Sequence, residues 1–133
     1  MPYSLPVLVV DDTDICRIGT ALLLETMGFK CELALNGSDA LERFKPGKYW
    51  AILMDYEMQG MSGAQCTDTI RKLEAPTGTR IPVIGLTSHR HPSIIRECLE
   101  SGMDAVLPKD CPSNDLFDVL KPLIFARSNN GSG

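Results

Sequence analysis

The sequence predicts an α/β domain, a doubly wound five-stranded parallel sheet in the order 2-1-3-4-5 with five flanking helices, and three observations carry that prediction. Short apolar runs alternate with amphipathic stretches along the 133 residues, the rhythm of repeated βα units. The first run, Leu5 to Val10, is continuous and Val-rich, as a strand covered on both faces should be. Four runs end in polar residues: Asp11 and Asp12 after the first, Asp55 after Trp50 to Met54, Thr87 after Ile81 to Leu86, and Lys109 after Ala105 to Pro108. In an open parallel sheet the C-terminal strand ends share one edge, which is where such folds bind ligands.

The elements follow in order. Asp14 can cap a first helix in which Ile15, Ile18, Ala21 and Leu22 keep helical spacing, and Gly28 sits where a helix C-terminal glycine belongs. Lys30 to Ala34 reads as a short second strand and Asn36-Gly37 as a turn. Ser38 can cap a helix over Asp39 to Lys45, with Ala40, Leu41 and Phe44 inward, and Pro46-Gly47 ends it. A Gly- and Met-rich loop, Tyr56 to Ser62, precedes a third helix reaching about Leu73, and Glu74 to Arg80 is a loop holding Pro76 and Gly78. Pro92 suits the first turn of a fourth helix bearing Ile94, Ile95, Cys98 and Leu99, stopped by Gly102. A short fifth strand, about Ala105 to Leu107, leads to a last helix from Ser113 carrying Leu116, Phe117, Leu120 and Ile124. Residues 1–127 form the domain, and 128–133 read as a flexible tail, a linker start or an appended remnant. The strand order is flavodoxin-like and puts the first and third strands side by side, which brings Asp11, Asp12 and Asp55 together.

Composition narrows the function. Apolar content of 44% and charged content of 23% are ordinary for one globular domain. A net charge of −4, with no basic run or aromatic platform, argues against nucleic-acid binding. No apolar stretch approaches the roughly 18 residues of a membrane span, and the N-terminus lacks a secretory pattern, so a cytoplasmic chain is expected. The five cysteines (16, 31, 66, 98 and 111) form no C-x-x-C pair and read as reduced, small apolar side chains. His89, His91 and Cys98 straddle a turn without a metal-ligand spacing.

Clustered carboxylates repel. At about 4 Å and an effective dielectric near 20, each pair costs on the order of 4 kcal/mol before relaxation. A divalent cation with hard oxygen ligands, best Mg²⁺, would offset this, as would the compact charge of Lys109. A carboxylate beside Mg²⁺, Lys and Thr suits acceptance of a phosphoryl group, a reaction that depends on positioning and neutralising its oxygens. Asp55 could attack as nucleophile, with Lys109 and Thr87 on phosphoryl oxygens and the Glu57 backbone carbonyl on the metal.

These residues resemble the receiver domain of two-component response regulators over about Pro6 to Ile124. The matching segments are Val-Leu-Val-Val-Asp11-Asp12, Ile-Leu-Met-Asp55-Tyr-Glu-Met58 with Met61 and Gly63, Pro82-Val-Ile-Gly-Leu-Thr87-Ser88 and Gly102-Met-Asp-Ala-Val-Leu-Pro-Lys109. The resemblance implies Asp55 as phosphoacceptor from a phosphohistidine of a histidine kinase or phosphotransfer domain. It implies direct Mg²⁺ binding by Asp12, with Asp11 acting mainly through water, and phosphoryl contacts from Thr87 and Lys109. Glu57 and His89 stand where the family tunes phosphoryl lifetime. The chain would catalyse its own phosphorylation and dephosphorylation without turning over small substrates.

Three positions depart from the family pattern. Gln59 replaces a usual Pro, which predicts a less rigid loop. Asp110 replaces the Pro after Lys109, where a cis bond would now cost roughly 3 kcal/mol, so trans is expected. Val106 stands where many members carry Tyr or Phe, which puts the Thr-aromatic switch in question. The segments around Thr87 and Lys109 look most like receivers of hybrid sensor kinases. Alternatives are a Mg²⁺-dependent phosphatase of the haloacid dehalogenase type, with Glu57 two residues after the nucleophile, or a degenerate receiver acting by binding alone. A flavodoxin fits worse, because the first βα turn is acidic where a flavin phosphate would sit.

Overall fold

A computed structural model describes residues 5–89 and 91–132, with side chains described as far as Leu123. The strands are β1 (Val7–Val10), β2 (Cys31–Ala34), β3 (Ala51–Asp55), β4 (Val83–Thr87) and β5 (Ala105–Pro108). They pair in parallel in the order β2-β1-β3-β4-β5, as expected from the flavodoxin-like fold class. Helices α1 (Asp14–Thr26), α2 (Gly37–Arg43), α3 (Gly63–Glu74), α4 (Pro92–Ser101) and α5 (Ser113–Ser132) fill the crossovers and follow the last strand.

The sheet separates two cores by strand alternation. Leu8, Val10, Ile52, Met54 and Val83 pack with Ala40, Cys66, Ile70 and Cys98 from α2, α3 and α4. Val7, Val9, Ala51, Leu53, Ile84 and Leu86 pack with Leu24 of α1 and with Leu116 and Leu120 of α5. With both faces covered, the central strands are apolar throughout, and specificity is left to their ends.

Helix boundaries differ from the sequence reading where capping chemistry is involved. Asp14 does not cap α1: Thr13 occupies the N-cap without a side-chain bond, and Asp14 lies in the first turn, paired with Arg17. Asn36, not Ser38, caps α2 by accepting from the Asp39 amide at 2.8 Å, so the Asn-Gly pair opens a helix. Asn reaches the N3 amide as Ser does, so both residues satisfied the sequence rule and only backbone position separated them. Ser62 and Gln65 form a reciprocal capping box on α3, and His91 caps α4 ahead of Pro92. The loop after α3 contains a 3₁₀ turn, Ala75–Thr77.

The larger surprise is α1. Ile15, Ile18 and Leu22 are 84%, 49% and 58% exposed, and the buried positions are Arg17, Ala21 and Leu24. Helical periodicity identifies a face but not which way it turns. Here Arg17 takes the inner position because both terminal guanidinium nitrogens find partners there, one donating to the Asp11 carbonyl at 2.9 Å and the other pairing with Asp14, although its buried Nε has none. At the C-terminus, α5 continues to Ser132 through residues the sequence assigns to a tail; backbone hydrogen bonding propagates once a helix is nucleated, despite Asn129, Asn130 and Gly131. The side chain of Ile124 and the whole of Gly133 lie outside the described residues.

Candidate phosphoacceptor site

Parallel register assembles the site. Val10 pairs with Met54, so Asp11 follows beside Asp55, and Thr87 pairs with Pro108, so Lys109 follows beside Thr87. Backbone bonds extend the pairing past the strands: the Tyr56 amide donates to the Leu86 carbonyl and the Lys109 amide to the Thr87 carbonyl, both at 3.0 Å. Gly63 lets α3 start directly against the end of β3, since a Cβ there would collide with the Asp55 carbonyl. All five polar residues expected at strand ends therefore lie on one edge.

Asp55 is 1% exposed. Its Oδ1 accepts from Lys109 Nζ at 2.9 Å and from the Glu57 amide at 3.2 Å. Its Oδ2 is buried without a hydrogen-bond partner. Asp11, also buried, accepts from the Thr13 amide at 3.0 Å and lies 3.5 Å from Lys109 Nζ. Asp12 is exposed and accepts from the Gln59 amide at 3.0 Å. A Pro at position 59 could not make that bond, so the loop expected to be freer is tied to the acidic turn.

One ligand oxygen from each of Asp11, Asp12 and Asp55 can be chosen so that all lie within 4.8 Å of one another. Among the described residues this is the one group of potential metal ligands of its size. Burial pushes the Asp55 carboxyl up to about 7; the bond from Lys109 opposes this, and the neighbouring charge of Asp11 adds to it. Burial alone would lower the Lys109 ammonium, but its bond to Asp55 and the charges of Asp55 and Asp11 raise it above its ordinary value, keeping it charged. Three hard oxygen ligands, in a site that also holds a buried carboxylate oxygen lacking a partner, fit a divalent cation such as Mg²⁺.

Thr87 and Glu57 hold each other. The Thr87 hydroxyl lies 3.0 Å from one Glu57 carboxylate oxygen and 3.2 Å from the other. Ser88 donates to the same carboxylate from its amide at 2.8 Å and its hydroxyl at 2.6 Å, and His89 Nδ1 lies 3.2 Å away. Burial would raise the Glu57 carboxyl, but these bonds outweigh it and hold the group below the usual carboxylate range. Next to it, the Tyr56 hydroxyl donates to Glu97 of α4 at 2.6 Å.

Sequence reasoning missed the Glu57 side-chain grip, the Gln59 amide and Arg17. Of these only Arg17 left a signal, its i,i+3 spacing from Asp14. The backbone has no cis peptide among the described residues, in agreement with the expectation for Lys109-Asp110. Val106 packs, partly buried, against the core on the α3–α4 side.

The response regulator receiver domain model matches residues 7–121. The chain belongs to this family. The receiver is 37% identical over 127 residues to the sensor histidine kinase GacS of Pseudomonas protegens, covering 94% of this chain and 14% of the kinase. It is 39% identical over 115 residues to the sensor histidine kinase RcsC of Escherichia coli, covering 86% of this chain and 11% of that protein. It thus spans only a small part of the curated relatives it matches. Among solved structures, the receiver of the histidine kinase CKI1 from Arabidopsis thaliana, complexed with Mg²⁺ and BeF₃⁻, superposes with a TM-score of 0.82 at 31% identity, over 91% of this chain and 90% of that one. The receiver of the sensor histidine kinase PA1611 from Pseudomonas aeruginosa, with magnesium in its active site cleft, gives 0.80 at 28% identity, over 90% and 97%. Membership in the receiver family decides against the dehalogenase and flavodoxin alternatives. No helix among the described residues is long and apolar enough to cross a membrane.

Proposed function

We propose that this receiver accepts a phosphoryl group on Asp55 from a phosphohistidine of a partner protein, as a station in a two-component phosphorelay. The observation that carries the reading is Asp55 Oδ2, a buried carboxylate oxygen without a partner, beside a charged lysine and two further carboxylates. Oδ2 attacks phosphorus, the P–N bond breaks, and its electron pair leaves with the imidazole nitrogen. Lys109 neutralises one phosphoryl oxygen and the Thr87 hydroxyl holds another. Asp11, Asp12, Asp55 and the Glu57 backbone carbonyl would hold Mg²⁺, which supplies charge neutralisation for the transferring group. The Mg²⁺ complexes of the CKI1 and PA1611 receivers support this ligand choice.

The partner is a histidine kinase or histidine phosphotransfer domain, and the kinase relatives favour a receiver belonging to a hybrid kinase. Its docking face includes the exposed Ile15, Ile18 and Leu22 on α1, the helix that begins just after Asp11 and Asp12. Five free thiols accord with a cytoplasmic setting.

Incubation with acetyl phosphate and Mg²⁺ tests the chemistry. One hydroxylamine-labile phosphate per chain is expected, absent in Asp55→Asn. Continuing turnover of phosphate monoesters would replace this reading with a phosphatase, and Mg²⁺ binding without labelling would leave a receiver acting by binding alone. Ile15→Glu tests the docking face: transfer from a phosphohistidine partner should fall about tenfold or more, with labelling by acetyl phosphate unchanged.

A further inference from the structure

The phosphoacceptor reading assigns Thr87 to the phosphoryl group, yet the Thr87 hydroxyl is already engaged. Its single proton lies between Glu57, at 3.0 Å, and the His89 carbonyl, at 3.2 Å, while it accepts from the His89 amide at 2.9 Å. The Glu57 carboxylate sits in a cradle of two hydroxyls and one backbone amide, from Thr87 and Ser88. Such a cradle recognises an anion with several acceptor oxygens, and it suits a carboxylate or a phosphoryl group equally. Both cannot occupy it, because Thr87 has one proton and two anions sharing the donors repel.

We propose that Glu57 is an internal stand-in for the phosphoryl group, seated on Thr87 and Ser88 until phosphorylation displaces it. The proposal rests on the phosphoacceptor reading and extends it from the lifetime of the phosphoryl group to its acceptance. Glu57 is a positioning residue: it acts on the reaction by withholding Thr87. Its release frees the Ser88-His89 segment that leads into α4, whose Glu97 is tied to the neighbouring Tyr56. That gives this receiver a route from site to α4 in which the Val106 position need not rotate.

The test is the acetyl phosphate concentration that half-labels the full 133-residue chain in Mg²⁺, with the Ser88 amide NMR resonance of the unlabelled protein as second readout. Glu57→Asp keeps the charge on a stem one methylene too short for the cradle. It should half-label at a concentration about tenfold lower than wild type, as should Glu57→Ala, and both should shift the Ser88 resonance before any donor is added. Glu57→Gln, which keeps an acceptor oxygen, should fall between. If Glu57→Asp labels like wild type while Ala and Gln both improve, charge repulsion alone operates and the stand-in is refuted. An unmoved Ser88 resonance in Glu57→Asp refutes it as well. Should wild type and every variant fail to label, the phosphoacceptor reading falls and the stand-in falls with it.

Discussion

Each end of the parallel sheet carries a cluster of acidic and basic side chains, and the two clusters are built on opposite principles. At the N-terminal ends of β4 and β5, Arg71 of α3 donates to the Gly102 and Ile81 carbonyls and pairs with Glu74 at 2.8 Å and Asp104 at 3.1 Å. The buried Glu74 also accepts from the Ile81 amide, and Asp104 from the Val83 amide and Arg80. Every carboxylate there meets a cation and a backbone donor. At the C-terminal ends, Asp11 and Asp55 share Lys109, Asp12 stands close by holding the Gln59 amide, and Asp55 Oδ2 has no partner. A closed ion network pins structure, whereas one left short of positive charge is poised for a ligand.

The largest break in this contrast should come from the closed end. Arg71→Met strands the Glu74 carboxylate in the core and should cost about 3–5 kcal/mol in urea unfolding, equally with and without Mg²⁺. Labelling of the folded fraction should be unchanged.

At the open end the sign reverses. The Asp55 carboxyl is pushed up to about 7, above its unfolded value, so the folded protein binds this proton more tightly than the unfolded chain does. Its contribution to stability is full below pH 4 and is lost as pH rises towards 7. In metal-free protein at pH 8, Asp55→Asn should therefore stabilise the fold, raising Tm by on the order of 5 °C. Saturating Mg²⁺ should shrink that gain, because it stabilises wild type more. A destabilised Asp55→Asn under metal-free conditions would mean the open cluster is as balanced as the closed one.

The smallest effect concerns the rim. Gln59→Pro removes the amide that holds Asp12 and should tighten Mg²⁺ binding by about threefold to tenfold in calorimetry, with little change in unfolding. A weaker Mg²⁺ complex would show that this bond prepares Asp12 for the metal instead of competing with it.

The strands and the residues closing them were legible because a strand buried on both faces writes itself as an apolar run, and its polar terminus is conspicuous. Asp11, Asp12, Asp55, Thr87 and Lys109 were found in this way. The caps were less legible, since Asn36 and Ser38 satisfy the same local rule two residues apart. The stripe of Ile15, Ile18 and Leu22 could be seen but not oriented, because periodicity is indifferent to rotation about the helix axis. Arg17 sits on the core side because the fold sets the Asp11 carbonyl there to receive it.

Chain order and the apolar runs thus suffice for a parallel sheet with its chemistry at the C-terminal edge, since each run marks where its own strand ends and each crossover connection has one favoured hand. Which donors those side chains find was decided by tertiary structure. Glu57 reaches Thr87 and Ser88 thirty residues away only because β3 and β4 are neighbours, and Asp12 meets the Gln59 amide only because β1 and β3 are. Hydrogen bonds are short and directional, so contacts of this kind are settled by the packed fold and leave no period or spacing in the sequence.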